Sequence, residues 1–567
     1  MSNQLSQKTW IIPDPNPEGA QAIGDDLGCS PIIGQVLLNR GVSTTQQASA
    51  FFNASLDMLH DPFLIDDMQN ATDRIRLAVE RHEKILVFGD YDVDGMSGTA
   101  LLVRELDTLG CPVYYYIPNR LIEGYGLNKE QIANAHTNGV KLIVTVDNGI
   151  SSHEETALAA RLGMDVVVCD HHEPEGTLPS ASAVLNPKRR DSTYPFRDLS
   201  GAGVALKLLT ALLGRLPENL DFAALGTIAD IVPLVDENRV LAKAGLEMMN
   251  KRELLSPGLE ELFKVAGLEN REISSGNVAF QLAPRLNAAG RLGVGQLGVQ
   301  LLLTTSQPLA RRLARKLDEE NRNRQGIEED ILHQALEKLE KSFDPERDFS
   351  IVLSDTRWHP GVTGIVASRL MEIYHRPVIL IAMGEEVGKG SARSIRQFHI
   401  YEAMSKCREH LVSFGGHKYA AGLTIERSKL DDYKNAFELV CRDQLADEDL
   451  NPVVRADAEI MLADITGELL EQLAKLAPHG SANPVPIFVS RGVSVASSVR
   501  TLRGEHLKFA VKQTKKTLPV IGFKMAESET VVTNSPQIDI LYTPQFNTYR
   551  GVTSIQLSLR DVRLHQR

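Results

Sequence analysis

The sequence predicts an α/β protein: a parallel-sheet domain joined by a long helix to a second α/β lobe, with a small C-terminal β-barrel. Three observations carry that reading. Short apolar runs alternate with amphipathic stretches from Lys84 onward. A charged run with helical patterning, RRLARKLDEENRNRQGIEEDILHQALEKLEK, separates this region from a second alternating unit. Beyond residue 451, alternating strand-like segments follow one another with no long helix between them.

Residues 1–75 are mixed in character, with a helical pattern near PIIGQVLLNRG. Over 76–306 the runs KILVFGD, CPVYYYIPN, VKLIVTVDNG and MDVVVCDHH read as strands. TALLVRELDTLG and HEETALAARLG between them can form amphipathic helices, the alternation of βαβ units feeding a parallel sheet. The apolar runs are nearly continuous, as strands covered on both faces require. GAGVALKLLTALLGR reads as a further helix, followed by NLDFAALGTIADIVPL. Residues 307–345 are expected to form the connecting helix; a solvated charged helix within one lobe is the alternative. In 346–450, FSIVLSD and RPVILIAMG flank the helical GVTGIVASRLMEIY. Residues 451–567 alternate polar and apolar side chains with Pro and Gly in the turns, the pattern of a small antiparallel barrel.

Composition narrows the class. With 567 residues, 43% of them hydrophobic and 24% charged, the chain can build several cored domains. No apolar run approaches the roughly 20 residues that cross a bilayer, and MSNQLSQKTW has neither the basic start nor the apolar core of a secretory leader. Cys29, Cys111, Cys169, Cys407 and Cys441 are scattered and form no CxxC pair. That excludes a disulfide scaffold and a thiolate zinc site, and fits a reducing, cytoplasmic compartment without a membrane. The net charge of −12 hides an asymmetry: from Ser481 onward, 12 Lys or Arg face 5 Asp or Glu. A basic stripe on an acidic protein can still bind a polyanion.

The carboxylates are the most telling feature. GDYDVDG places Asp90, Asp92 and Asp94 just after the first predicted strand. Asp147 ends the VKLIVTVDNG strand, and Asp170, His171 and His172 end the MDVVVCDHH strand. With Asp230, in TIADIVPL, this makes four acidic sites expected at the ends of separate strands, which open onto one crevice in a parallel sheet. Grouped carboxylates repel one another and lose hydration, so divalent cations are needed among them. Carboxylates with one or two imidazoles suit Mn²⁺ or Mg²⁺. A bridging carboxylate, for which Asp147 is the candidate, can hold two ions ~3.5–4 Å apart. Taken singly, Asp94 or Asp147 reads as a helix N-cap and each histidine as an ordinary hydrogen-bonded one. A calcium loop would need a Glu at its twelfth position, which is absent.

GDYDVDG, VDNG, DHHEP and GTIADIVPL, in that order, resemble the four motifs of the DHH phosphoesterase superfamily. PRLNAAGRLG, HPGVTGIVASRL, GSARS and SFGGHKYAAG resemble the branch of bacterial exonucleases specific for single-stranded DNA. The match covers nearly the whole chain. It implies metal ligation by Asp92, Asp94, Asp147, His171 and Asp230, with Asp90 at the same rim orienting ligands and His172 facing phosphate; these seven form the expected catalytic set. It further implies phosphate or base contacts from Arg120, Arg291, Ser391, Arg393, Gly415, Gly416 and His417, and an oligonucleotide-binding fold for the C-terminal barrel. On residue chemistry alone Arg120 reads as a surface salt bridge. The barrel's basic balance and its Phe509, Phe523, Tyr542, Phe546 and Tyr549 suit strand binding, although some of these rings must be core. Phe88 stands where many relatives carry histidine, which argues against a pyrophosphatase. His479, in PHGSANPVP, stands where phenylalanine is common, a departure that touches domain packing.

The implied activity is 5′-to-3′ hydrolysis of single-stranded DNA to 5′-mononucleotides by a two-ion mechanism, in recombination and mismatch repair. A monomer working with a single-strand-binding protein and a helicase is implied too. Two rivals stand beside it. One is an enzyme of the same superfamily acting on short oligoribonucleotides or cyclic dinucleotides, which would need neither barrel nor connector. The other is a strand-binding scaffold with a dead core, which should have lost its acidic ligands.

Overall fold

The computed structural model describes residues 8–120, 122–174 and 176–565. The N-terminal stretch read above for a secretory leader lies mostly outside them.

The first lobe is built on a five-stranded parallel sheet. Its order across the sheet is Val113–Tyr116, Lys84–Gly89, Val140–Val146, Asp165–Cys169, Ala183–Leu185. Alternate side chains of these strands enter different cores. Ile85, Val87, Leu142, Val144 and Val167 face one side, whereas Leu86, Phe88, Ile143, Val166 and Val168 face the other. Both faces are therefore apolar, which is why the runs look continuous in sequence. On the first face lie the helices Val93–Thr108, Gly201–Leu213 and Leu220–Ala229, all nearly fully buried. Met68–Glu80 straddles the boundary expected at residue 76 and buries Met68, Ala71 and Ile75 in this same core.

A single helix, Gln307–Ser342, then runs for about 54 Å at 1.5 Å per residue. Ala310, Leu313, Ala314 and Leu317 enter the first lobe's core, and Ile331, Ala335 and Leu339 enter the second lobe's. Between these apolar ends its buried face is polar: Asp318 accepts from Arg285 of the first lobe at 3.0 Å. Glu328 accepts from Arg369 of the second at 2.8 Å and also pairs with Arg324. The helix is thus embedded in both lobes.

The second lobe carries a mixed sheet in the order Ser413–Gly416, Ala420–Glu426, Val387–Arg393, Val378–Met383, Ile351–Asp355; only the last pair is parallel. The C-terminal strands close a ring. Phe488–Val495 pairs with Ile538–Tyr549, which pairs with Val552–Leu564, then Lys516–Gly522, then His506–Gln513. The ring returns to its start through Ser494 opposite Lys512. The expected antiparallel barrel is present with one difference: Lys516–Gly522 and Val552–Leu564 run parallel. Phe509 and Tyr542 are core, whereas Phe523, Phe546 and Tyr549 are exposed.

The N-terminal helices belong with this barrel. Ile23, Ile33, Val36, Leu37 and Phe51 share its hydrophobic core, and Thr9–Ile11 pairs with Val453–Arg455. Barrel and first lobe are joined around buried Arg239, whose guanidinium donates to the carbonyls of Phe51 at 2.8 Å, Leu476 at 3.0 Å and Ala477 at 2.9 Å. Ser275 donates to the carbonyl of His479 at 2.6 Å, so the departure at His479 lies at this domain junction.

Candidate metal centre

The sheet topology gathers the acidic residues. Asp90, Asp147 and Asp170 each follow the C-terminal end of a neighbouring parallel strand. Asp92 caps the Val93–Thr108 helix and accepts from the Gly95 N–H at 3.1 Å. Asp94, one turn in, accepts from the Gly201 and Ala202 N–H groups at 2.6 and 2.9 Å; it sits at the N-terminus of the Gly201–Leu213 helix, where negative charge is favoured. Asp230 corrects an expectation: it ends the Leu220–Ala229 helix, not a strand. The crevice is reached equally well because that helix packs across the same sheet face.

Glycines make the closeness possible. A Cβ at Gly201 would lie 2.6 Å from Asp147 Cβ, one at Gly226 2.5 Å from Asp94 Oδ1, and one at Gly95 2.5 Å from the Asp90 nitrogen. PRLNAAGRLG serves the same purpose. Asn287 Oδ1 accepts from the Val93 N–H at 3.0 Å, and a Cβ at Gly290 would lie 2.0 Å from the Tyr91 carbonyl oxygen.

Potential ligand atoms of Asp90, Asp92 and Asp147 lie within 4.8 Å of one another, as do those of Asp94, His171 and Asp230 and those of Asp147, His171 and His172. His171 Nε2 is 3.0 Å from Asp147 Oδ1, 3.6 Å from Asp230 Oδ2 and 3.8 Å from Asp94 Oδ2. Burial, then the neighbouring His172, pushes His171 down to about 3, so its ring is neutral. Burial, then the Asp92 charge, raises Asp94 to about 7; burial and then Asp92 raise Asp90 and Asp147, and burial and then Asp94 raise Asp230. Asp90 Oδ1, Asp147 Oδ1 and His171 Nε2 are buried without a hydrogen-bond donor. Buried acceptors facing one another satisfy nothing unless a cation lies among them. An oxygen-rich donor set with one neutral imidazole fits hard divalent ions. Asp147 follows the central strand, and Asp147 and His171 each belong to two of the groups.

His172 differs from His171. Burial alone would depress it, but the Asp170 hydrogen bond at 2.7 Å and the Asp170 charge raise it to about 9. Burial would likewise raise Asp170, yet His172 brings it to about 2. Asp170 also accepts from the backbone N–H groups of Ile150, His171 and His172, so it orders the DHH turn. Tyr125 donates to the Asp147 carbonyl at 2.8 Å and lies 3.2 Å from His172 Nδ1. Tyr91 packs edge-on to Tyr125 and carries Arg120 over its ring at 4.9 Å. Sequence reading missed both tyrosines; Tyr91 lies inside GDYDVDG, but nothing in its spacing marks it.

The arginines gather beside the acids. Arg120 is close enough to lower Asp90, and Arg120 and Arg291 both act on Tyr91. Burial, then Arg120 and Arg393, pulls Arg291 down to about 10; burial, then Arg120, lowers Arg393. Arg120 is therefore part of a cationic cluster, not a surface salt bridge. Arg291 Nη1 donates to the Gly361 carbonyl across the lobes at 3.3 Å. Ser391 and Arg393 share one face of their strand, Ser391 Oγ accepting from Thr363 Oγ1 at 3.2 Å. A Cβ at Gly364 would lie 2.9 Å from Arg393 Nη2, so HPGVTG lets the Thr363–Tyr374 helix start against the arginine. Ser391, Gly422 and Gly415 form one cross-strand row. Gly415 faces open space, and Gly416, with φ +142, would bring a Cβ 2.4 Å from Ala421 Cα. His417 closes the hairpin, its N–H donating to Ala420 at 2.8 Å.

Comparison with known proteins agrees with this arrangement. The DHH family N-terminal domain matches residues 84–229, the DHHA1 domain 348–443 and the RecJ OB domain 456–561. The chain is 37% identical over 561 residues to the single-stranded-DNA-specific exonuclease RecJ of Bacillus subtilis (strain 168), covering 98% of this chain and 71% of that protein. It is 34% identical over 559 residues to the protein of the same name from Escherichia coli (strain K12), covering 94% and 96%. Among solved structures, RecJ in complex with Mn²⁺ from Thermus thermophilus matches at a TM-score of 0.85 and 31% identity, over 99% of this chain and 80% of that one. The Mg²⁺ complex from the same source matches at 0.79 and 29%, over 99% and 79%.

Proposed function

The chain belongs to the RecJ family of single-stranded-DNA-specific exonucleases, and on that premise we propose that it hydrolyses single-stranded DNA from the 5′ end, releasing 5′-mononucleotides. The observation that carries this reading is the adjacency of two incomplete sites. One is a set of buried acceptors that requires cations; the other is a cluster of arginines suited to phosphate.

In this reading Asp92, Asp94, Asp147, His171 and Asp230 hold two divalent cations, Mn²⁺ or Mg²⁺. Asp90 joins them as a ligand, supported by its unpaired Oδ1. When bound, such a pair neutralises the carboxylates and supplies Lewis-acid activation of water and of the leaving oxygen. The protein does the rest. Arg120, Arg291 and Arg393, with Ser391, orient the phosphate through paired donors. His172, held protonated by Asp170, offers a further positive charge at the rim. Tyr125 fixes the Asp147 backbone, which holds a left-handed φ of +63. Gly415, Gly416 and His417 guide the strand along the second lobe, and the barrel's exposed Phe523, Phe546 and Tyr549 with its basic residues retain it between cycles. A crevice bounded by two lobes locked to one helix admits a single strand and refuses a duplex by width, so sequence preference is slight.

We infer further that the chain works as a cytoplasmic monomer in recombination and mismatch repair, on strands supplied by a helicase and a single-strand-binding protein. No described helix is long and apolar enough to cross a membrane. The test is internally labelled single-stranded DNA with a phosphorothioate block at one end, incubated with Mn²⁺ or Mg²⁺. Mononucleotide release stopped only by the 5′ block, and lost in Asp147→Ala, is expected. Strand binding without release in either metal would leave a scaffold.

A further inference from the structure

Asp230 ends its helix, and the next residue, Ile231, takes the left-handed conformation with φ +62. A helix that terminates this way ordinarily carries glycine at this position, because a Cβ is strained there. For a β-branched side chain such a φ is a true outlier. Burial offers no compensation, since Ile231 is 70% exposed and joins none of the described apolar clusters. Neither the backbone nor the core accounts for an isoleucine.

Its position does. Ile231 directly follows a residue whose carboxylate lies 3.6 Å from His171 Nε2, which puts it at the rim of the metal centre. Asp147 is the other residue of this centre with a left-handed φ, and there the reason is visible: the strain aims a carboxylate into the cluster. Strain kept at such a place is a mark of function when the surroundings hold it and nothing local asks for it. The charged groups around the crevice can hold phosphate; Tyr91 and Tyr125 give it aromatic surface beside Arg120 and His172, and exposed Ile231 gives it aliphatic surface next to Asp230.

We propose that Ile231 is a substrate-contact residue whose exposed side chain packs against the base of the nucleotide flanking the scissile phosphate. This rests on the exonuclease reading above and adds to it an aliphatic contact beside Asp230, in addition to the rings of Tyr91 and Tyr125. The strained backbone is retained for that contact, so stability and activity should move in opposite directions when it is removed.

The test uses the full chain and its Ile231→Gly and Ile231→Leu variants. Substrates are single strands with normal or abasic residues at the two 5′-terminal positions. Ile231→Gly should unfold about 2–4 °C higher without metal, as relief of one strained residue allows. On normal strands its kcat/KM should fall about tenfold, the loss expected for a buried aliphatic contact. On abasic strands the unsubstituted chain should drop to the variant's level, while Ile231→Leu should stay within about threefold of the unsubstituted chain on normal strands. A glycine variant that gains stability with unchanged kcat/KM overturns the proposal, as does an equal penalty on abasic strands. An unsubstituted chain that releases no nucleotide with either metal removes the exonuclease reading, and this contact with it.

Discussion

Two arginines of this chain look alike and do different things. Arg239 and Arg291 are both brought down to about 10, in each case by burial first. Arg239 stacks on the Phe51 ring at 3.8 Å and donates to the carbonyls of Phe51, Lys475, Leu476, Ala477 and Pro478. Among the described residues Arg291 makes one hydrogen bond, at 3.3 Å, and its charged neighbours are Arg120, Arg393 and Arg324. A depressed pKa thus does not separate structure from function; satisfaction does. A buried cation matched by main-chain acceptors is a fastener, and one left beside other cations awaits an anion. The same criterion separates the buried acids: Glu237 accepts from Tyr194 and the His60 N–H, whereas Asp147 Oδ1 has no donor.

The contrast can be broken in several places. Asp147→Ala should abolish metal-dependent cleavage, by about a thousandfold or more, because both proposed cation sites would lose a shared ligand. Metal-induced thermal stabilisation should largely disappear with it, and a melting curve with and without Mn²⁺ checks this independently of turnover. Arg239→Ala should act in the opposite sense. It strands several buried carbonyls and should destabilise by about 3 kcal/mol or more, seen as an earlier denaturant midpoint, while KM for DNA in the surviving folded protein stays near its original value.

Arg291→Ala should leave the melting temperature unchanged or slightly raised, since it relieves like-charge repulsion. It should raise KM for single strands about tenfold and shallow the salt dependence of binding by roughly 0.7 in log–log slope, one phosphate contact. The smallest effect concerns His479. Burial, then Arg40 and Arg239, lowers it to about 4. The unfolded chain therefore binds this proton more readily between about pH 4 and the ordinary 6.5, and stability from this group is lost as pH falls through that window. His479→Phe should gain a degree or two over the original protein at pH 5 and nothing at pH 8, measured by thermal unfolding.

Much of this was legible in the chain. Strands covered on both faces betray themselves as continuous apolar runs, and the carboxylates at their ends point to one crevice. The long helix was visible because its charge and periodicity persist through Leu339. Asp230 lies beside Asp94 and His171 but ends a helix, not the expected strand, because TIADIVPL is apolar enough to pass for a strand and only packing distinguishes the two. The union of the N-terminal helices with the barrel could not be read, since no local pattern encodes the core that Phe51 and Leu476 share. Tyr125 was invisible for the same reason: its hydroxyl matters only once Asp147 and His172 stand beside it. The purpose of glycines such as Gly201 and Gly226 appears only when a Cβ is placed against Asp147 or Asp94.

The most direct test of the central claim is an electron paramagnetic resonance titration of the metal-free full chain with Mn²⁺. Two ions sharing a carboxylate ~3.5–4 Å apart are magnetically coupled, so the expected result is a coupled two-manganese spectrum saturating at two ions per chain and lost in Asp147→Ala. A six-line spectrum of isolated Mn²⁺ at saturation, or a single ion per chain, would contradict it.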